Sequence, residues 1–145
     1  MKTVTSVPDS AFADALHARG MRVTPQRLAI REAVAGLGRH ATAEQVAEAV
    51  SRRVPGVSLP TVYATLDLLE DLGAVRRIPS AAGPALYDPR AEPHQHMVCR
   101  CCGTVEDLDV TVDGAAALDA ARRAGFAADG VETVVSGLCA RCASR

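Results

Sequence analysis

Residues 58–87 read SLPTVYATLDLLEDLGAVRRIPSAAGPALY, and this stretch decides the architecture of the first part of the chain. The segment Ser58-Leu59-Pro60-Thr61 opens a helix in which Val62, Leu66 and Leu69 recur on one face, while Thr61, Tyr63, Ala64 and Asp67 fall largely outside it. Gly73 ends that helix, and the pattern changes. Residues 74–78 and 85–87 read as two short strands joined by a turn of small residues over 79–83. A helix that runs into a β-hairpin is the pattern of a winged helix-turn-helix, whose last helix enters the major groove of DNA while the hairpin lies on the backbone. A bare helical bundle with an irregular tail is the competing reading of the same pattern.

Upstream, the punctuation is helical throughout. One helix begins near Pro8, carries Phe12, Leu16 and Ala18, and stops at Gly20. Thr24-Pro25 supplies an N-cap hydroxyl followed by proline at the first helical position, with Leu28, Ala29, Ala33 and Val34 on the apolar face and Gly36 and Gly38 as stops. Thr42 with Gln45 three residues later is a capping box, after which Val46, Ala47 and Val50 share a face up to Pro55-Gly56. Downstream, the polar stretch 88–93, bracketed by Pro89 and Pro93, reads as a hinge. Beyond it, residues 96–98, 104–110 and 131–135 are strand-like, and Asp113 caps an Ala-rich helix ending at Gly125. The expected fold is therefore α/β (α+β): a winged-helix domain over 1–87, a hinge over 88–93, and a smaller mixed domain over 94–145.

The second domain carries the most specific spacing in the chain. Cys99 and Cys102 are separated from Cys139 and Cys142 by 36 residues, 103–138. Two Cys-x-x-Cys pairs can close on one tetrahedral Zn(II), and four thiolates leave no coordination position open, so the site is read as a structural staple. Gly103 lets the first pair turn tightly; the second pair, Cys139-Ala140-Arg141-Cys142, lacks such a glycine. Two disulfides are the alternative, and Cys101 is a fifth, unassigned thiol. His94 and His96 are two apart, which on a strand turns both imidazoles to the same side, where one further metal ion could bind them.

Composition sets the remaining bounds. The chain has 145 residues, 48% hydrophobic and 23% charged, with two Phe, two Tyr and no Trp, so its cores must be built from Ala, Val and Leu. No apolar run approaches the roughly 20 residues that span a bilayer, so no membrane partner is expected. Residues 1–7 show no apolar run with a small-residue cleavage site, and a cytoplasmic location is the expectation. Residues 1–83 hold ten Lys and Arg against eight Asp and Glu, and residues 84–145 hold six against nine, an uneven split too small to assign a nucleic-acid-facing half by itself.

Several segments together resemble the ferric uptake regulator family: 19–27 (RGMRVTPQR), 58–63 (SLPTVY), 94–99 (HQHMVC) and both cysteine pairs. The resemblance covers nearly the whole chain. It implies a metal-dependent repressor that binds a palindromic double-stranded DNA operator as a homodimer, with Arg19, Arg22, Arg27, Thr61 and Tyr63 as DNA contacts and no enzymatic activity. Ala64 stands where many members place arginine. The resemblance also supplies the rest of the regulatory site: His40, Asp88 and Asp107 join His94 and His96 as ligands for Fe(II) or Mn(II). Pro93 and Gln95 flank these histidines and no histidine follows His96, so a third site found in many iron-sensing members does not form. Aspartate at 107 makes the pattern most similar to the peroxide-sensing repressor branch, in which Fe(II) with one open position reacts with peroxide and a histidine ligand, here His94 or His40, is oxidised. An iron, zinc or nickel uptake regulator using the same ligands without oxidation is the nearest rival. A metal-dependent hydrolase would also use histidines and carboxylates, but it leaves the helix, wing and hinge order unexplained.

Overall fold

Thr24, Thr42 and Ser58 each accept a hydrogen bond from the backbone N–H three residues on, and these three side chains start three of the helices. In the computed structural model, which describes residues 7–145 apart from Arg39, Pro79, Ala81, Ala82 and Ala91, the chain divides into two compact units, Met1–Ala91 and Glu92–Arg145. Residues 1–6, on which the leader reading mostly rests, and most of the 79–83 turn lie outside the described residues.

The first unit holds α1 (Asp9–Ala18), α2 (Pro25–Leu37), α3 (Ala43–Ser51), α4 (Leu59–Asp71), β1 (Arg76–Ile78) and β2 (Leu86–Asp88). The two strands pair antiparallel with Arg77 opposite Tyr87, which is the wing following the last helix. Phe12, Leu16, Ile30, Val46, Val50, Val62, Leu66 and Leu69 meet in one core and are essentially inaccessible to water. Removing that much apolar surface from water is the main stabilising term of this unit. Gly36 does not stop α2 as expected; its φ is not positive, and the helix continues to Gly38, whose φ of 59° makes the left-handed turn. Asp88, placed at the start of the polar 88–93 stretch by its sequence, is the last residue of β2.

The second unit holds β3 (Gln95–Cys99), β4 (Val105–Leu108), α5 (Ala115–Arg123), β5 (Val134–Gly137) and α6 (Ala140–Ala143). Its sheet has the order β4-β3-β5, with β3 antiparallel to β4 and parallel to β5. The last strand starts at Val134, not Val131; just before it the Thr133 carbonyl accepts from the His96 N–H at 3.3 Å while the Thr133 N–H donates to the Gln95 side-chain oxygen at 2.6 Å. Val131 packs instead over Gly114, where an added Cβ would lie 2.8 Å from the Val131 Cβ. Asp113 is not the cap residue of α5, which is Gly114; it stands one residue earlier, its carboxylate accepting from the Ala115 N–H at 2.9 Å. Among the described residues, no helix is long and apolar enough to cross a membrane.

Candidate metal centres and reading helix

Two local devices bring the four cysteines together. At the first pair, Gly103 takes φ 73° and donates its N–H to the Cys99 carbonyl at 2.8 Å, the tight turn expected of it. At the second, one turn of helix replaces the missing glycine: the Cys142 and Ala143 N–H groups both donate to the Cys139 carbonyl at 2.9 Å. The parallel register of β3 and β5, with Cys99 opposite Gly137, then sets the two knuckles side by side. The Sγ atoms of Cys99, Cys102, Cys139 and Cys142 all lie within 4.8 Å of one another. Cys102 and Cys139 Sγ are 3.8 Å apart. Thiolates at about 2.3 Å from a tetrahedral zinc ion are about 3.8 Å from each other. Every cysteine is free, so the disulfide alternative is excluded here.

The surroundings favour thiolates. The Thr104 hydroxyl, 3.1 Å from Cys102 Sγ, is the largest cause of a Cys102 pKa lowered to about 5. Backbone N–H groups of Cys102 and then Cys139 hold the Cys99 pKa below its ordinary value, the Cys139 N–H lying 3.3 Å from Cys99 Sγ. Cys142 is pushed the other way, chiefly by the Cys139 thiol beside it: sulfurs this close cannot all carry charge without a cation. A guanidinium nitrogen of Arg141 stands 4.0 Å from Cys102 Sγ and adds positive charge. The four thiols fit a structural zinc ion, and this chemistry of the donor set is the reason.

Of the expected regulatory ligands, His40 and Asp88 belong to the first unit and His94, His96 and Asp107 to the second. In the first, Ala41 and Tyr87 exchange two backbone hydrogen bonds, at 3.1 and 2.8 Å, as an isolated antiparallel bridge. Their chain neighbours His40 and Asp88 are thereby brought together, with His40 Nε2 3.2 Å from Asp88 Oδ2. The other Asp88 oxygen accepts from the Arg90 N–H at 2.8 Å. In the second unit, the β3/β4 register places His96 opposite Asp107. His94 precedes β3 instead of lying on it, yet its ring centroid is 4.4 Å from that of His96. His94 Nδ1 lies 2.8 Å from the Glu92 carbonyl, which can only accept, so Nδ1 carries the proton. His94 Nε2 stands 3.3 Å from Asp107 Oδ1, with both side chains more than nine-tenths buried. Two acceptors facing each other at that distance require a cation or a proton between them, and a backbone carbonyl on the far nitrogen is the usual support of a metal-binding histidine.

The expected DNA contacts are dispersed over the first unit. Thr61 and Tyr63 stand in the first half of α4, with Tyr63 exposed and the Thr61 hydroxyl 2.9 Å from that of Ser58. Arg27 donates to the Arg22 carbonyl at 2.6 Å and closes the loop before α2, while the Arg22 side chain is exposed. Arg19 pairs with Asp71 at the opposite end of α4 from Tyr63, about 15 Å along the helix from Thr61. Sequence reasoning passed over Glu44, whose carboxylate accepts from the Tyr63 hydroxyl at 3.3 Å, and Arg77 of the wing, whose guanidinium lies 5.9 Å from the Tyr87 ring centroid. The adjacent Arg76 and Arg77 in a predicted wing were a signal for the latter; nothing local pointed to Glu44.

The profile of the Ferric uptake regulator family matches residues 18–132. The transcriptional regulator FurA of Mycobacterium tuberculosis is 38% identical over 140 residues, covering 96% of this chain and 93% of that protein. The peroxide-responsive repressor PerR of Staphylococcus saprophyticus is 32% identical over 93 residues, 64% of this chain and 63% of that one. Among solved structures, the ferric uptake regulator of Pseudomonas aeruginosa with manganese superposes with a TM-score of 0.65 at 27% identity, covering 88% of this chain and 96% of that one.

Proposed function

Because the chain belongs to the ferric uptake regulator family, and is thus a metal-responsive transcriptional regulator, we propose that it represses peroxide-defence genes and loses DNA when hydrogen peroxide oxidises one of its histidines. In this reading one regulatory ion, Fe(II) or Mn(II), is held jointly by His40 and Asp88 of the first unit and His94, His96 and Asp107 of the second. The observation that carries it is the matched pair of facing groups, His40 with Asp88 at 3.2 Å and His94 with Asp107 at 3.3 Å. Three imidazole nitrogens and two carboxylates suit a first-row divalent ion, and an ion held by these five donors would still be able to take up a further small ligand. The bound iron would supply the electrons that break the peroxide O–O bond.

The chain's own residues do the rest. The Glu92 carbonyl fixes the His94 ring and its tautomer, and the Arg90 N–H holds the Asp88 carboxylate. Ligands from both units make the ion a clasp that selects one arrangement of the two, so its loss shifts the population away from the DNA-binding form. The second unit pairs with a copy of itself through its exposed apolar residues, and the resulting two-fold axis calls for a palindromic operator read by Thr61 and Tyr63 of each α4. Arg22 and the other arginines neutralise phosphates, which makes binding fall steeply with salt.

Protein loaded anaerobically with Fe(II), treated with low peroxide and analysed by peptide mass spectrometry is expected to gain one oxygen on His94 or His40 and to release its operator. Unmodified histidines with persistent operator binding would remove the sensing step. They would leave the second reading, an iron-responsive uptake regulator without oxidation. That reading is favoured by the higher identity and fuller coverage of FurA relative to the peroxide-responsive repressor.

A further inference from the structure

Tyr63 is an exposed phenol on α4, and its hydroxyl has one proton to give. That proton is directed at Glu44 Oε1, 3.3 Å away on the first turn of α3. Glu44 is itself anchored. Its own backbone N–H and then the Thr42 hydroxyl stabilise the carboxylate and hold its pKa below the ordinary glutamate range, with Tyr63 contributing in the same sense. The Tyr63 pKa is raised, first by partial desolvation, then by the charge and the hydrogen bond of Glu44, with Arg77 of the wing opposing.

We propose that Glu44 is the positioning residue for Tyr63: it accepts the phenolic hydrogen bond, so Tyr63 presents only oxygen lone pairs to DNA and reads an exocyclic amino group in the major groove. This rests on the DNA-binding reading above. Phosphate oxygens are acceptors, so a tyrosine whose proton is committed to a carboxylate cannot bind them. The donors displayed in the major groove are adenine N6 and cytosine N4. A carboxylate beside the reading helix also opposes the phosphate backbone, so Glu44 weakens binding to every sequence while sharpening the choice among them. Ala64, next to Tyr63, offers no hydrogen-bonding group of its own, which leaves more of the base discrimination to the tyrosine.

The test selects binding sites from a randomised duplex library with the Mn(II)-loaded full chain and its variants, after circular dichroism shows each variant folded. Tyr63→Phe and Glu44→Ala are each expected to lose preference at the same base pair by about fivefold, the worth of one hydrogen bond, and the double variant to lose no more. Glu44→Gln, whose amide oxygen still accepts the hydrogen bond, is expected to keep that preference while binding all sequences more tightly. Replacing the selected adenine by purine, or shifting the selected cytosine to thymine, should abolish the difference between wild type and Tyr63→Phe. The proposal is overturned if Tyr63→Phe keeps the wild-type preference, if it weakens all sequences equally with a shallower salt dependence, or if Glu44→Ala leaves the preference intact. A wild-type protein that selects no sequence refutes the DNA-binding reading itself, and this inference with it.

Discussion

The two units are stabilised by different physics. The first buries Phe12, Leu16, Ile30 and Leu66 completely in one apolar core. In the second, among the described residues, Cys99 is the sole buried hydrophobic, while Phe126 is 70% exposed and Val134, Val135 and Leu138 about half exposed. A sheet of three short strands with two short helices cannot offset the conformational entropy of its ordering with so little apolar burial. An ion among the four cysteines, and a partner surface over its exposed apolar residues, are the sources of order open to it. The contrast is between a first unit with a well-buried apolar core and a second unit with almost none.

The largest effect should follow from removing the ion's ligands. Structural zinc contributes on the order of 10 kcal/mol in small domains, more than the whole stability of many of them. Cys142→Ser, or a strong chelator on the wild type, is expected to abolish amide-exchange protection across Gln95–Cys99 and Val105–Leu108 while leaving Leu59–Asp71 protected. Equal loss in both units would break the comparison. Its mirror image is smaller. Leu66→Ala opens a cavity in the first core and should cost about 3 kcal/mol by denaturant unfolding, with zinc stoichiometry unchanged.

Next comes the covering surface. β5 is an edge strand whose Val134 and Val135 are exposed, and an exposed apolar edge is a site for pairing with another chain. A carboxylate buried there without a partner would be strongly unfavourable. Val135→Asp is therefore expected to weaken self-association about a hundredfold in sedimentation equilibrium while zinc content stays at the wild-type level. Unchanged association would mean that this face is covered by something other than a second copy.

The same contrast governs what could be read in advance. Thr24, Thr42 and Ser58 mark helix starts through bonds to residues three positions away, so the helices of the first unit were legible from local signals. The cysteine knuckles were legible for the same reason: two residues of spacing, and a glycine where φ is 73°. The partnership of His40 with Asp88 was not, because it depends on the Ala41–Tyr87 bridge, a tertiary event with no local trace; a family resemblance had to supply it. Likewise the start of β5 was missed by three residues; just before it a side chain distant in sequence, Gln95, takes the Thr133 N–H. Thr104, Arg141 and Glu44 sit beside functional groups only once the chain has folded.

The smallest effect probes the local signals themselves. Thr42 and Gln45 exchange bonds at the start of α3, the Thr42 hydroxyl accepting from the Gln45 N–H at 3.2 Å and the Gln45 amide oxygen from the Thr42 N–H at 3.0 Å. In the second unit, α5 begins at Gly114 with no side-chain bond from the cap position. Thr42→Ala removes the first of the two bonds and should cost about 1 kcal/mol, lowering the unfolding midpoint of the first unit by a few degrees. Because Thr42 follows Ala41, whose bridge to Tyr87 holds His40 beside Asp88, the same variant separates two roles of the turn. A cap that only stabilises α3 leaves Mn(II) affinity unchanged; a cap that also holds His40 in place lowers it. In either case amide protection of Gln95–Cys99 should stay at the wild-type level. A loss there as large as in α3 would mean that the units unfold together, and that the second borrows its stability from the first and not from its ion.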